Sequence, residues 1–88
     1  MNAMAKVLMY LTASCPFCQS AERLLSEKGA AVEKIRVDLD PDRRLEMMQK
    51  SGRRTVPQIW IGELHVGGCD DLYALERAGK LDPLLKAP

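Results

Sequence analysis

Long apolar runs, an excess of charge of one sign and a large set of cysteines are all missing from this 88-residue sequence. No apolar run approaches the roughly 18 residues of a transmembrane helix, so we expect no membrane partner. The 13 basic and 12 acidic residues leave a net charge of +1 and are interspersed, so bulk electrostatics do not indicate nucleic acid binding either. The length suits one domain and not two, and we predict a single domain over residues 1–88.

The sequence also lacks the features of an exported protein. Three cysteines cannot form a paired disulfide framework. The apolar stretch 7–13 has the minimum length for a signal peptide, and only Lys6 precedes it as a basic residue. An odd number of cysteines without an export signal indicates a reducing compartment, and we expect the protein in the cytoplasm.

Two of the cysteines form the motif Cys15-Pro16-Phe17-Cys18, where an apolar run gives way to a helical pattern. At a strand-to-helix junction, the free N–H groups of the first turn and the helix dipole favour the Cys15 thiolate. Pro16 suits the first helical turn and should direct Cys15 toward solvent. Cys18, one turn further in, should be less exposed and act as the resolving thiol.

Two other interpretations of the cysteine pair are a structural zinc site and unreactive core cysteines. A tetrahedral zinc site needs about four ligands, and the chain offers only Cys69 and His65 besides the pair. Redox chemistry at Cys15 and Cys18 is therefore our working hypothesis.

Hydrophobic periodicity predicts an α/β domain with the element order β-α-β-α-β-β-α and a short helical tail. A parallel crossover and a hairpin should produce a four-stranded mixed sheet flanked by helices. We expect Asp40 to cap the second helix, with Leu45 and Met48 facing inward, and Asp70 or Asp71 to cap the third. The predicted strands are 7–13, 32–37, 56–61 and 64–66, and the predicted helices are 16–28, 41–50, about 71–78 and 81–85.

Three motifs together resemble the small bacterial dithiol glutaredoxins: C-P-F-C at 15–18, T-V-P at 55–57 and G-G-C-D-D at 67–71. With the spacing between them they cover nearly the whole chain. The resemblance implies a thioredoxin-like fold and a glutathione-dependent thiol–disulfide oxidoreductase. Such an enzyme reduces protein disulfides and glutathione mixed disulfides, with glutathione as co-substrate and no tightly bound cofactor, and we expect a monomer.

The resemblance also implies roles for individual residues. Cys15 should attack and Cys18 should resolve, while a cis Val56-Pro57 bond should leave the Val56 backbone free to hold a thiol peptide. A trans proline at a strand entry is the alternative. Backbone N–H groups beyond Gly67-Gly68 should receive the γ-glutamyl carboxylate of glutathione, although the two aspartates could serve only as caps. The expected glutathione contacts are Thr12, Phe17, Arg54, Thr55, Val56, Pro57, Gly68, Cys69 and Asp70.

The chain departs from the family pattern at two positions. Thr12 stands where many glutaredoxins carry a lysine that pairs with the glycine carboxylate of glutathione, and Phe17 replaces the usual tyrosine. Arg53 or Arg54 could supply the missing cation, since a guanidinium binds a carboxylate through two parallel hydrogen bonds. Exposed arginines are often only solvated surface, so both interpretations stay open.

Four remaining residues have simpler interpretations. We expect Cys69 to be a small buried residue, with a redox-sensitive thiol as the alternative. His65 should be an exposed or hairpin residue without a catalytic role, and Tyr10 and Trp60 should belong to the core.

Two rival functions remain at the level of sequence. One is a redoxin reduced by thioredoxin reductase, which the absence of the lysine allows. The other is a non-enzymatic carrier in which Cys15 of two chains and two glutathiones hold a [2Fe–2S] cluster, a role that a proline after the first cysteine disfavours.

Overall fold

The computed structural model describes residues 4–86, so the ends of the predicted domain, 1–3 and 87–88, lie outside the described residues. The elements follow the predicted order, including the helical tail. They are β1 (Val7–Leu11), α1 (Pro16–Glu27), β2 (Val32–Arg36), α2 (Pro41–Ser51), β3 (Gln58–Ile61), β4 (Leu64–Gly67), α3 (Cys69–Arg77) and α4 (Leu81–Lys86).

The four strands form one mixed sheet in the order β2-β1-β3-β4. β1 runs parallel to β2, with α1 as the crossover between them, and antiparallel to β3. β3 and β4 form the predicted hairpin, whose turn contains Gly62 at φ +60°. The predicted thioredoxin-like sheet flanked by helices is confirmed, and it places the carboxyl end of β1 and the start of β3 side by side.

Each face of the sheet carries its own hydrophobic cluster. Successive side chains of a strand point to opposite faces, so Val7 and Met9 pack with α1, α3 and α4, whereas Tyr10 points the other way. The second cluster is formed by Tyr10, Val37, Met47 and Trp60 beneath α2. Burial of Tyr10 and Trp60 confirms their predicted place in the core.

The inner face of α2 differs from the prediction. Met47 is fully buried, whereas Leu45 is 53% exposed and Met48 is half-buried. The helix must cover Tyr10 and Trp60, and Met47 fills that space. Two adjacent methionines gave the sequence pattern no means to decide which one would face inward. The predicted Asp40 cap is confirmed, because its carboxylate accepts the N–H groups of residues 42 and 43.

Two element starts also differ from the prediction. α3 begins at Cys69 with Gly68 as its N-cap, so the predicted Asp70 or Asp71 cap is wrong. The Asp71 carboxylate instead sits one turn inside the helix and accepts the Gly68 N–H at 2.9 Å. β3 begins at Gln58 and not at 56, because Pro57 has no N–H to donate to the ladder.

Candidate active site

Cys15 is the N-cap of α1, at the junction where β1 delivers the chain to the helix. Its sulfur accepts a hydrogen bond from the Cys18 N–H at 3.1 Å. Pro16 occupies the first helical position, where a missing N–H is harmless. This local geometry gives the Cys15 sulfur the environment of a capping anion, as the sequence predicted.

The structure holds Cys15 and Cys18 as a disulfide, with their Cα atoms 5.1 Å apart. Cys18 is 1% exposed, which confirms that it is the more buried thiol. Cys15 is only 7% exposed, so the prediction that it is directed to solvent is wrong for this oxidised form. Its sulfur is bonded to Cys18 and lies 3.8 Å from the Val56 carbonyl oxygen, which together cover it.

The Val56-Pro57 bond is cis, as the resemblance implied. The bond lies in the loop before β3 and brings Val56 opposite Cys15. Among residues 4–86, none of the backbone hydrogen bonds uses the Val56 N–H. A free backbone N–H beside the cysteine can pair with the backbone of an extended ligand.

A surface groove of about 310 Å³ runs from the T-V-P loop to the start of α3. We call it the front groove. Its wall and floor come from four segments: the residue between the two cysteines, the loop after α2, the T-V-P loop and the first turn of α3. The lining residues are Phe17, Arg53, Thr55, Val56, Pro57, Gly68, Cys69, Asp70 and Asp71.

Gly67 and Gly68 allow the two ends of this groove to approach each other. Gly67 has φ +114°, a conformation that side chains disfavour, and a Cβ there would collide with the Asp71 carboxylate and lie 3.1 Å from Arg53 Nη1. A Cβ on Gly68 would lie 3.4 Å from the Pro57 carbonyl oxygen. The absence of a side chain at Gly67 therefore leaves space for Arg53 and Asp71, and its absence at Gly68 leaves space for the T-V-P loop.

Arg53 and Asp71 are the paired charged residues at the α3 end of the front groove. Their side chains form an ion pair of 2.9 Å, and the Gly68 N–H donates to the same carboxylate oxygen. The Gly68 N–H and the Arg53 guanidinium lower the pKa of Asp71. Asp70 is exposed beside the open N–H groups of the first helical turn. This end of the groove can receive a carboxylate on backbone donors.

Seven of the nine predicted glutathione contacts line the front groove, and two do not. Thr12 lines a different pocket. Arg54 is exposed outside the groove, and its carbonyl oxygen accepts a hydrogen bond from Arg44 at 3.3 Å. Arg53 and Asp71 line the groove but were missing from the predicted contacts. Their signal was present in the sequence, since Arg53 and Arg54 were equal candidates and Asp71 lies in the G-G-C-D-D motif.

The pocket that contains Thr12 lies on the other side of α1, and we call it the back groove. It is lined by Leu11, Thr12, Ala13, Cys18, Gln19, Glu22, Lys34 and Arg36. Its charged groups are already paired: Lys34 with Glu22 at 2.5 Å, and Arg36 with Asp38 at 2.7 Å. The Arg36 guanidinium and the Ala13 N–H hold the pKa of Asp38 well below its usual range.

The surroundings of Cys69 and His65 agree with the non-catalytic interpretations of these two residues. Cys69 is 8% exposed, and burial together with the neighbouring Asp70 raises the pKa of its thiol. The prediction of a buried cysteine is confirmed. His65 lies on β4 and is half-buried, with Nε2 2.8 Å from the Gln58 side-chain oxygen. Burial and the charge of Arg53 lower the pKa of His65.

Residues 4–86 contain neither a metal-ligand cluster nor a helix able to span a membrane. Within this range, no three or more His, Cys, Asp or Glu side chains are grouped so that they could hold a metal ion. Within the same range, no helix combines the length and apolarity that a membrane crossing requires.

Comparison with known proteins places this geometry in context. Residues 7–66 match the sequence model of the glutaredoxin family. A glutaredoxin from Pseudomonas aeruginosa is 58% identical over 84 residues, which cover 96% of this chain and all of the relative. Glutaredoxin 3 of Escherichia coli is 52% identical over 83 residues, covering 94% of this chain and all of that protein.

Two solved structures show the same arrangement. The solution structure of a glutaredoxin from Brucella melitensis superposes with a TM-score of 0.84 at 54% identity, covering 94% of this chain and 90% of that one. A buckwheat glutaredoxin–glutathione complex gives a TM-score of 0.84 at 32% identity, covering 96% of this chain and 78% of that one.

Proposed function

This chain belongs to the glutaredoxin family of thiol–disulfide oxidoreductases, and from that premise we propose that glutathione is its electron donor. Its substrates are then protein disulfides and glutathione mixed disulfides, reduced through Cys15 and Cys18. The observation that carries the proposal is that the Cys15 sulfur lies 3.8 Å from the carbonyl oxygen of Val56, a residue that lines the front groove. Glutathione is a tripeptide with a central thiol, so its backbone fits a site of this kind.

Bound glutathione places its cysteine beside Val56 and its γ-glutamyl carboxylate on the N–H groups that open α3. Backbone N–H groups at a helix N-terminus favour an anion by hydrogen bonding and by the helix dipole. Arg53 supplies the cation that Thr12 does not, and it lies in the front groove. The relative from buckwheat was solved with glutathione, which supports the choice of ligand.

The first reaction is removal of glutathione from a protein. The Cys15 thiolate attacks the glutathione sulfur of the mixed disulfide, and the protein leaves as a thiolate that takes up a proton. A second glutathione, as thiolate, attacks the glutathione sulfur of the Cys15–glutathione disulfide, and Cys15 leaves as the thiolate. Oxidised glutathione is released, so one free glutathione is consumed and the protein–glutathione disulfide is exchanged for the disulfide of oxidised glutathione. Cys18 takes no part in this route.

The second reaction is reduction of a protein disulfide. Cys15 attacks one sulfur and forms a mixed disulfide, and the other sulfur leaves as a thiolate. Cys18 then attacks Cys15, which releases the second substrate thiol and leaves the Cys15–Cys18 bridge. Two glutathiones reduce that bridge and become oxidised glutathione. The structure holds the protein in this bridged form.

The remaining parts of the proposal concern the setting of the protein. It acts as one domain over residues 1–88, as a monomer, in the cytoplasm, with glutathione as a co-substrate and without a tightly bound cofactor. The length that it shares with the bacterial relatives supports one domain.

The proposal is tested by comparing electron donors. Purified protein is supplied with a glutathionylated peptide and either glutathione with its NADPH-dependent reductase, or thioredoxin reductase with NADPH. We expect turnover only with glutathione. Turnover only with thioredoxin reductase would assign the chain to the rival redoxin function and contradict the proposal.

A further inference from the structure

We propose that Gln58 and His65 form a buried relay that positions the T-V-P loop for substrate binding. Neither side chain lines the front groove, so both act through Thr55 and Val56 as positioning residues. The inference deepens the proposed function, on which it rests. It gives a role to a buried polar side chain and to the single histidine, neither of which the chemistry at Cys15 uses.

Gln58 is the buried polar side chain of the described core, with no exposed surface. Its Nε2 donates to the Thr55 carbonyl oxygen at 3.0 Å and lies 3.3 Å from the Thr55 hydroxyl. Its Oε1 lies 2.8 Å from His65 Nε2. Both ends of a fully buried amide are therefore satisfied, one toward the T-V-P loop and one toward β4.

This arrangement determines the direction of each hydrogen bond. The Thr55 carbonyl oxygen can only accept, so the Gln58 nitrogen must face it and the Gln58 oxygen must face His65. His65 therefore carries its proton on Nε2 and donates it to Gln58. The lowered pKa of His65 is consistent with a neutral ring.

The relay is anchored in the sheet at its far end. The His65 ring stacks on Trp60 with centroids 4.5 Å apart, and Trp60 meets the edge of Tyr10 at 5.4 Å. Because Tyr10 and Trp60 are core residues on β1 and β3, the imidazole has little freedom to turn away from Gln58.

The hydrogen bond from Gln58 to the Thr55 carbonyl also determines the direction of the Val56 N–H in the front groove. The bond between Thr55 and Val56 is trans, so its C=O and N–H point in opposite directions. With the carbonyl held inward by Gln58, the Val56 N–H must point outward, where residues 4–86 offer it no backbone partner. The relay thus fixes the plane of the peptide group that pairs with substrate.

The test uses variants that remove the relay without touching the groove. Gln58→Met keeps the length of the side chain and removes both hydrogen bonds. His65→Phe keeps the stack on Trp60 and removes only the donor, while His65→Gln restores a donor as the conservative control. Leu81→Ala, at the first residue of α4 and fully buried in the core, serves as a control for lost stability alone.

Two reactions of the reduced variants separate positioning from chemistry. Alkylation of Cys15 by iodoacetamide needs only the thiolate, whereas cleavage of a peptide disulfide without glutathione also needs the Val56 backbone. Without glutathione each reduced protein reacts once, so KM here denotes the half-saturating concentration of peptide disulfide and kcat the limiting rate of that single turnover. We expect KM to rise about 10-fold in Gln58→Met and about 3-fold in His65→Phe, with kcat within about 2-fold of the wild type. Alkylation rates should not change, and His65→Gln and Leu81→Ala should keep the wild-type KM.

An unchanged KM in folded Gln58→Met and His65→Phe would overturn the relay, and so would an equal loss of alkylation and kcat. If Gln58→Met does not fold, the comparison of KM between His65→Phe and His65→Gln tests the relay instead. Failure of the proposed function gives a different result: wild-type protein then cleaves the peptide disulfide but not a glutathionylated peptide.

Discussion

The front and back grooves lie on either side of the cysteine pair, yet they differ in which polar groups are free to bind a ligand. Among residues 4–86, the Val56 N–H and the N–H groups of the first turn of α3 have no backbone partner, and they face the front groove. In the back groove, Lys34 and Arg36 are each bonded to a carboxylate of this chain, Glu22 and Asp38. The front groove also holds an ion pair, Arg53 with Asp71, but a ligand there can bind the backbone N–H groups without displacing it, whereas a charged ligand in the back groove must first displace existing ion pairs.

This difference explains how one dithiol can have two unequal sulfurs. The Cys15 sulfur lies 3.8 Å from the carbonyl oxygen of Val56, a residue that lines the front groove, whereas Cys18 lines the back groove and is more deeply buried. Substrate bound beside Val56 therefore meets Cys15 before Cys18. Of the two arginines expected to replace the missing lysine, Arg53 lines the front groove and Arg54 does not, while Thr12 lines the back groove.

The largest expected effect separates the two sulfurs. Cys15→Ser should lower turnover of both substrates by at least about 10³-fold, because Cys15 is the attacking thiolate in both routes and burial raises the pKa of the groove-lining Cys69 thiol. Cys18→Ser should keep removal of glutathione within a few-fold of wild type and lose reduction of a protein disulfide. Coupled assays with a glutathionylated peptide and a disulfide-bonded protein distinguish the two. Full activity of Cys15→Ser would refute the mechanism.

The next effect concerns the narrow end of the front groove. Gly67→Ala should raise KM for a glutathionylated peptide about 10-fold, because its Cβ collides with the Asp71 carboxylate and displaces it from Gly68. Gly62→Ala is the matched control: it also has positive φ, but nothing lies within 4 Å of the added Cβ. Both variants should lose about 1 kcal/mol of stability from backbone strain. An equal KM in the two variants would argue against this end of the groove as a binding site.

A smaller effect should come from one cation in each groove. Arg53→Gln should raise KM for glutathione about 3- to 5-fold, as expected for a partly exposed charge that meets a carboxylate. Lys34→Gln, in the back groove, should leave KM unchanged. Steady-state kinetics at low and high salt check the pair, since salt should reduce the effect at Arg53. A larger rise in KM for Lys34→Gln than for Arg53→Gln would instead assign glutathione binding to the back groove.

The smallest effect is on acid stability and involves one carboxylate beside each groove. The pKa values of Asp71 and Asp38 are both lowered in the folded protein. Each therefore adds stability above its unfolded pKa of about 3.9, and that stability is lost as pH falls through the lower folded value. Asp71→Asn and Asp38→Asn should each flatten the loss of stability below about pH 4, measured by urea unfolding. Only Asp71→Asn should also raise KM at neutral pH, and a rise in Asp38→Asn would contradict the comparison.

Local rules predicted the parts of the site that depend on neighbouring residues. The Cys15 cap, Pro16 in the first turn and the Asp40 cap follow from short sequence patterns and are confirmed. The element order followed from hydrophobic periodicity. The redox hypothesis followed from the Cys15–Cys18 motif itself, whereas the cis Val56-Pro57 bond needed the family resemblance, since proline alone permits either isomer.

The parts that could not be predicted depend on contacts between distant segments. Arg53 differs from Arg54 only because its side chain reaches Asp71, 18 positions away. His65 has no telling partner nearby in sequence, yet the hairpin brings it to Gln58. The inward turn of Met47 follows from the space beneath α2. A single sequence does not encode such choices in a readable pattern, because they are settled when the elements pack.

The most direct test is to map where glutathione lies when it is attached to Cys15. The Cys18→Ser variant can be trapped as the Cys15–glutathione mixed disulfide and compared with its reduced form by backbone amide NMR. We predict that the largest shifts beyond Cys15 itself occur at 55–56 and 68–71, which line the front groove. Shifts concentrated at 12–13, 19 and 34 would place glutathione in the back groove and contradict the account.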